Sequence, residues 1–266
     1  MDLITKIFGK SLEEKLYEAI ESNHYSEVKS LVSQGADVNC VYKNEITPLH
    51  LASRIMGDME IVKLLINNGA NVNATTRNGY NSLMVACVRN DKELVELLLK
   101  NKSDVNQISK NGWTPLILAS GNISLKSIFF QNNKMGLEVF QLLDTQKLYH
   151  IKNNPKEIVR SLIKSGSDVK HKNKFNKSPL DEAILSCNTE VIKCLLDNGA
   201  NIEDTNDFGD TPLIKVCGYK FDKYRESIIT LLDRIWDVGG FGDEKSEIRF
   251  RIKGALLNNL KNKPQN

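Results

Sequence analysis

The sequence predicts an all-α repeat array, and three observations carry that prediction. A pentapeptide, Gly35-Ala36-Asp37-Val38-Asn39, returns at Gly69-Ala70-Asn71-Val72-Asn73, and in altered form from Lys102, Gly166 and Gly199. A second block keeps the same phase: Thr47-Pro48-Leu49-His50-Leu51-Ala52 is echoed from Asn81, Thr114, Ser178 and Thr211. Between the two blocks lie apolar stripes such as Ile61-Val62-x-Leu64-Leu65 and Leu94-Val95-x-Leu97-Leu98, spaced for one face of a helix. The shared period is near 33 residues, and one interval is longer by about 31.

Each element follows from local chemistry. Thr or Ser before Pro reads as an N-cap followed by Pro at the first helical position, where its missing N–H costs nothing. The Leu and Ala of the block then share one helix face, and the small Ala admits a close neighbour. The second helix supplies the longer apolar stripe, again at Ile158-Val159-x-x-Leu162-Ile163 and Val191-Ile192-x-x-Leu195-Leu196. The Gly that follows is suited to the residue after a helix end, where the chain reverses. No single unit can bury its own apolar face, so stacking must supply the core.

The Thr-Pro-Leu-His-Leu-Ala block and its echoes resemble the ankyrin signature over about residues 12 to 235. The resemblance implies a solenoid of about six helix–turn–helix units joined by β-hairpin-like loops. The expected boundaries are an N-terminal arm at 1–11 and an array at 12–240. Its units lie near 12–40, 41–74, 75–107, 108–171, 172–204 and 205–240. The first helix of the array is crowded with Glu13, Glu14, Lys15, Glu18 and Glu21, as suits a capping unit facing water. The fourth unit has two candidates for its second helix, Gly136–Leu143 and Pro155–Ile163. The latter is followed by Gly166-Ser167-Asp168-Val169 at the right offset, so about 121–153 reads as an insertion. Residues 241–266 are expected to form a C-terminal capping helix and tail, with Ile248, Ile252, Leu256 and Leu260 on one face.

Composition and motifs set the functional class. Of 266 residues, 36 are basic and 33 acidic, a net charge of +3, which by itself gives no reason to expect nucleic acid or membrane as partner. Five cysteines at irregular spacing argue against a disulfide framework and fit a reducing compartment. The first fifteen residues lack a long apolar stretch, so no cleaved signal peptide is expected, and no apolar run approaches the roughly 20 residues of a bilayer span. The histidines His24, His50, His150 and His171 lack metal-ligand spacing, and no phosphate loop or nucleophile motif is present. No enzymatic activity, cofactor or metal is therefore expected. The expected compartment is the cytoplasm; delivery into a host cell, as for ankyrin-repeat effectors of intracellular bacteria, is compatible with the composition. The chain is expected to be monomeric.

In ankyrin arrays partners usually meet the hairpin tips and the exposed side of the first helices. Carried over by position, one tip column reads Lys43, Arg77, Lys110, Lys174 and Asp207. Its four cations favour an acidic partner protein, mainly through steering and rim contacts. The position after the turn reads Ile46, Tyr80, Trp113, Lys177 and Asp210, and here Tyr80 and Trp113 are expected to be exposed as an interface hot spot. Phe175 and Phe208 form a further aromatic pair. The expected function is a non-catalytic protein-binding scaffold or adaptor. Two other readings are an effector or modifier dependent on 121–153, and binding of nucleic acid or an acidic partner along the Lys/Arg column. His50, in the signature position, is expected to satisfy neighbouring backbone groups.

Overall fold

The computed structural model describes residues 10–55, 59–121, 155–205, 209, 211–212 and 227–234. Among these the regular structure is entirely helical, apart from one isolated β-bridge between Tyr42 and Ile46. Helices come in pairs: α1 (Leu12–Glu21) with α2 (Tyr25–Ser33), α3 (Pro48–Arg54) with α4 (Met59–Asn67), and α5 (Ser82–Val88) with α6 (Lys92–Lys100). These are followed by α7 (Pro115–Ser120) with α8 (Pro155–Lys164), and α9 (Pro179–Leu185) with α10 (Thr189–Asp197). A further helix, α11, spans 227–234.

The first helices start where the capping chemistry says they should. Thr47, Asn81, Thr114 and Ser178 each accept a hydrogen bond from the backbone N–H three residues on, and Pro48, Pro115 and Pro179 follow directly. Each such cap is worth about 1 kcal/mol. The first helices pack in a row, α1 to α3 to α5 to α7 to α9, with the second helices behind them. Between the rows run leucines with no solvent contact, including Leu65, Leu98, Leu162 and Leu195. Burying each contributes about 1.5–3 kcal/mol.

Two hydrogen-bond ladders join successive units. At the foot of each unit the Asn of the pentapeptide bonds the next copy twice. Asn39 Nδ2 donates to Gly69 O (2.9 Å) while its Oδ1 accepts the Asn71 N–H (2.7 Å). Asn73 repeats this with Lys102 O (3.2 Å) and Asp104 N–H (2.7 Å). Asn106 does so with Gly166 O (2.9 Å) and Asp168 N–H (2.9 Å), across 60 and 62 residues of sequence. The chain that follows α7 therefore rejoins the stack as α8, which packs on α7, α6 and α10. Most of the segment read as an insertion, 122–153, lies outside the described residues. So do the alternative helix Gly136–Leu143, residues 1–9, most of the sixth unit and the C-terminal 241–266.

Candidate interaction face at the hairpin tips

The second ladder runs along the hairpin tips. Each tip is closed by a bond from one residue's N–H to the carbonyl four residues on: Tyr42 to Ile46, Thr76 to Tyr80 and Ser109 to Trp113 at 2.9 Å, and Asn173 to Lys177 at 3.1 Å. Successive tips then bond each other through the backbone. Arg77 N–H donates to Asn44 O (2.9 Å), Lys110 N–H to Asn78 O (2.9 Å), and Lys174 N–H to Asn111 O (3.0 Å). Equivalent residues are thereby held side by side. Lys43, Arg77, Lys110 and Lys174 form a continuous exposed column. Arg77 Nε lies 3.9 Å from Glu45 Oε1 with both side chains well exposed, so the pair adds little stability, while the Glu45 carboxylate offsets part of the positive charge at that end of the column.

The approach of one tip to the next is close enough to dictate composition. Gly112 has φ +80°, and a Cβ there would lie 2.8 Å from Asn173 Cα. At Gly79, also at φ +80°, it would lie 3.1 Å from Ser109 Cα. In the first tip Glu45 takes the corresponding position with φ +61°.

The structure corrects the expected exposure of Tyr80 and Trp113: only 2% and 5% of their surfaces are accessible, and both belong to the core. The side chains are large and apolar enough to join the core, whereas the backbone around them is fixed as in the other tips. The carbonyl of the last tip residue accepts the closing bond, and its N–H is held by a hydroxyl, Thr76 Oγ1 for Tyr80 (3.2 Å) and Ser109 Oγ for Trp113 (3.0 Å). With the backbone so fixed, both aromatic side chains are buried in the core that the helices share. Ile46 and Lys177, in the same column, are half-buried. Phe175 is exposed; Phe208, like Asp207 and Asp210, lies outside the described residues.

The exposed apolar groups are elsewhere on the tips. Among the described residues the exposed large hydrophobics are Val41, Tyr42, Ile108 and Phe175, and every one belongs to a tip or adjoins it. The Tyr42 ring lies 4.8 Å from that of Tyr17 of α1, tilted by 35°; the Tyr17 hydroxyl donates to Ile46 O and also lies 3.2 Å from Cys40 O, and Lys43 Nζ sits 5.8 Å from the Tyr42 ring centre. Sequence reading passed over Val41, Tyr42 and Ile108. The available signal was their adjacency to the cation column rather than any repeated residue type.

His50 links two units. Its Nε2–H donates to Tyr80 O (3.0 Å), which leaves Nδ1 to accept the Thr47 N–H (3.2 Å). Burial pushes this imidazole down from 6.5 to about 4, so it stays neutral. Asp181 holds the equivalent place in α9, where its Oδ2 accepts from Ser178 N–H (2.9 Å) and hydroxyl (2.7 Å). Beside it Glu182 stands where the other units have Leu51, Val85 and Leu118, and burial raises its carboxyl to about 7. A residue that periodicity did not single out is Arg89. It is buried at the end of α5, and its Nη1 donates to Ser53 O and Ile55 O (2.7 Å) of the preceding unit, while Nη2 pairs with Asp91 (3.2 Å).

Among the described residues no group of three or more His, Cys, Asp or Glu side chains is arranged to hold a metal, and no helix is long and apolar enough to cross a membrane.

Comparison with known proteins agrees with this architecture. The family described as "Ankyrin repeats (3 copies)" matches residues 16–109, 57–129 and 148–238. The chain is also similar to the human protein "Transient receptor potential cation channel subfamily A member 1", with 32% identity over 102 residues. That match covers 34% of this chain and 9% of the human protein, so the chain spans only a small part of that relative. Phased capping blocks, paired helices, two inter-unit ladders and a family match over most of the length converge: the chain belongs to the ankyrin-repeat family.

Proposed function

We propose that the chain is a non-catalytic scaffold, acting as a cytoplasmic monomer, that holds a partner protein along the hairpin tips. The observation that carries this reading is the coincidence of two features on one edge. The exposed large hydrophobics of the described residues lie beside the column Lys43, Arg77, Lys110 and Lys174. Apolar anchors bordered by cations suit a protein partner whose surface is acidic around an apolar patch, with the anchors supplying affinity and the charges orientation. Tyr80 and Trp113 hold the tips in place from beneath, and Ile46 and Lys177 border the contact.

The test is affinity purification with the full chain, repeated with Ile108→Ser/Phe175→Ser and with Lys110→Glu/Lys174→Glu. Both double variants should keep wild-type helicity by circular dichroism, because all four side chains are exposed. Partner capture should fall at least about tenfold with each, the loss expected when a buried anchor or a complementary charge is removed. Undiminished capture by both folded variants would exclude the tips as the contact surface. Capture of nucleic acid, weakening steeply with salt, would instead support the reading in which the cation column binds phosphates.

A further inference from the structure

Among the described residues the foot ladder is interrupted at one junction. The residue aligned with Asn39, Asn73 and Asn106 in the next copy is Lys170, and it bonds neither Gly199 O nor Asn201 N–H. The local turn is unaltered. Asn39, Asn73, Asn106, Lys170 and Glu203 all donate their N–H to the carboxylate or carboxamide two residues back, at 2.8–3.0 Å. The bond to the Asn201 N–H is lost because of the side chain, since an ammonium group offers it no acceptor.

Two features accompany the gap. A cavity of about 260 Å³ opens at this junction, lined in part by Val169, Lys170, Ala200 and Asn201. The contact across it is ionic: Lys172 Nζ pairs with Asp204 Oδ1 (2.7 Å) and donates to Thr205 O (3.0 Å), with both side chains about one-third exposed. A two-bond clamp made of neutral groups at three junctions has been replaced at the fourth by an ion pair that salt can screen.

We infer that the junction between the fourth and fifth units is a built-in opening point, where the foot of the fifth unit releases before the three junctions that precede it. The release is local: α9 and α10 remain packed on α7 and α8, and the turn at 199–205 parts from the turn at 166–172. Because the remaining contact is ionic, opening there increases with ionic strength. The three Asn-clamped junctions respond much less.

Amide hydrogen exchange on the full chain, read residue by residue by NMR, tests this. The Asn71, Asp104 and Asp168 N–H groups donate to the clamp and serve as internal standards, so Asn201 N–H should exchange at least about tenfold faster than they do, the factor lost with one net hydrogen bond. Lys170→Asn should slow Asn201 to the rate of the standards, whereas Lys170→Ala should not. Conversely, Asn106→Lys should speed Asp168 alone. If Asn201 opened merely because it lies nearer the chain end, Lys170→Asn would leave its rate unchanged, and that result overturns the inference. Protection of Asn201 equal to the standards in the unaltered chain would overturn it as well.

Discussion

Trp113 is an aromatic side chain whose environment decides its role. With 5% of its surface accessible, it is part of the core beneath the third tip. Trp113→Ala should cost about 3–5 kcal/mol of stability, measured by urea unfolding, as expected for emptying a packed aromatic site; a cost comparable to a surface substitution would contradict its burial. His50 makes a prediction of a different kind. Its folded-state value, about 4, lies below the ordinary 6.5, so between these values the unfolded chain takes up a proton that the folded chain refuses. Its contribution to stability is complete above the ordinary value and is lost as pH falls through the folded one, by up to about 3 kcal/mol. Glu182 has the opposite sign: its raised value means stability is lost as pH climbs from 4.5 through about 7. Comparing unfolding of the wild type with that of His50→Gln at several pH values isolates the histidine. Equal pH dependence in the two proteins would show that His50 is not its source.

The helices and the tips were unequally legible in the sequence. Capping is local: Thr47, Thr114 and Ser178 meet their N–H partners within one turn, so a Thr-Pro or Ser-Pro step announces the helix that follows. The direction of Tyr80 and Trp113 was not legible. An aromatic after a turn suits an interface as well as a core, and here the stacked units enclose it, an arrangement formed by residues distant in sequence. Arg89 was hidden for a related reason, because its carbonyl partners lie 34 and 36 residues away. For the tips themselves the structure makes a graded prediction. Gly112→Ala combines a positive φ with a 2.8 Å clash against backbone, and Gly79→Ala combines the same φ with a looser 3.1 Å approach. Both should destabilise, by about 1–3 kcal/mol for the strained backbone alone, and Gly112→Ala should be the worse in chemical denaturation.

At the scale of the whole molecule, continuity depends on contacts between neighbours. The period of the pentapeptide disclosed the stack, and the pairing of Asn106 with Gly166 and Asp168 keeps it in step where the sequence interval doubles. The partner could not be read from the sequence, because recognition in a stacked array resides in side chains that the stack does not constrain. The tip bonds make that separation concrete. They run from the amides of Arg77, Lys110 and Lys174 to the carbonyls of Asn44, Asn78 and Asn111, using main-chain atoms only. The side chains on the donor residues take no part in these bonds, although Arg77 also pairs loosely with Glu45 across the first join. They behave as interchangeable lettering on a fixed frame, so substitution at these positions rewrites the exposed edge while the spacing of the letters stays the same.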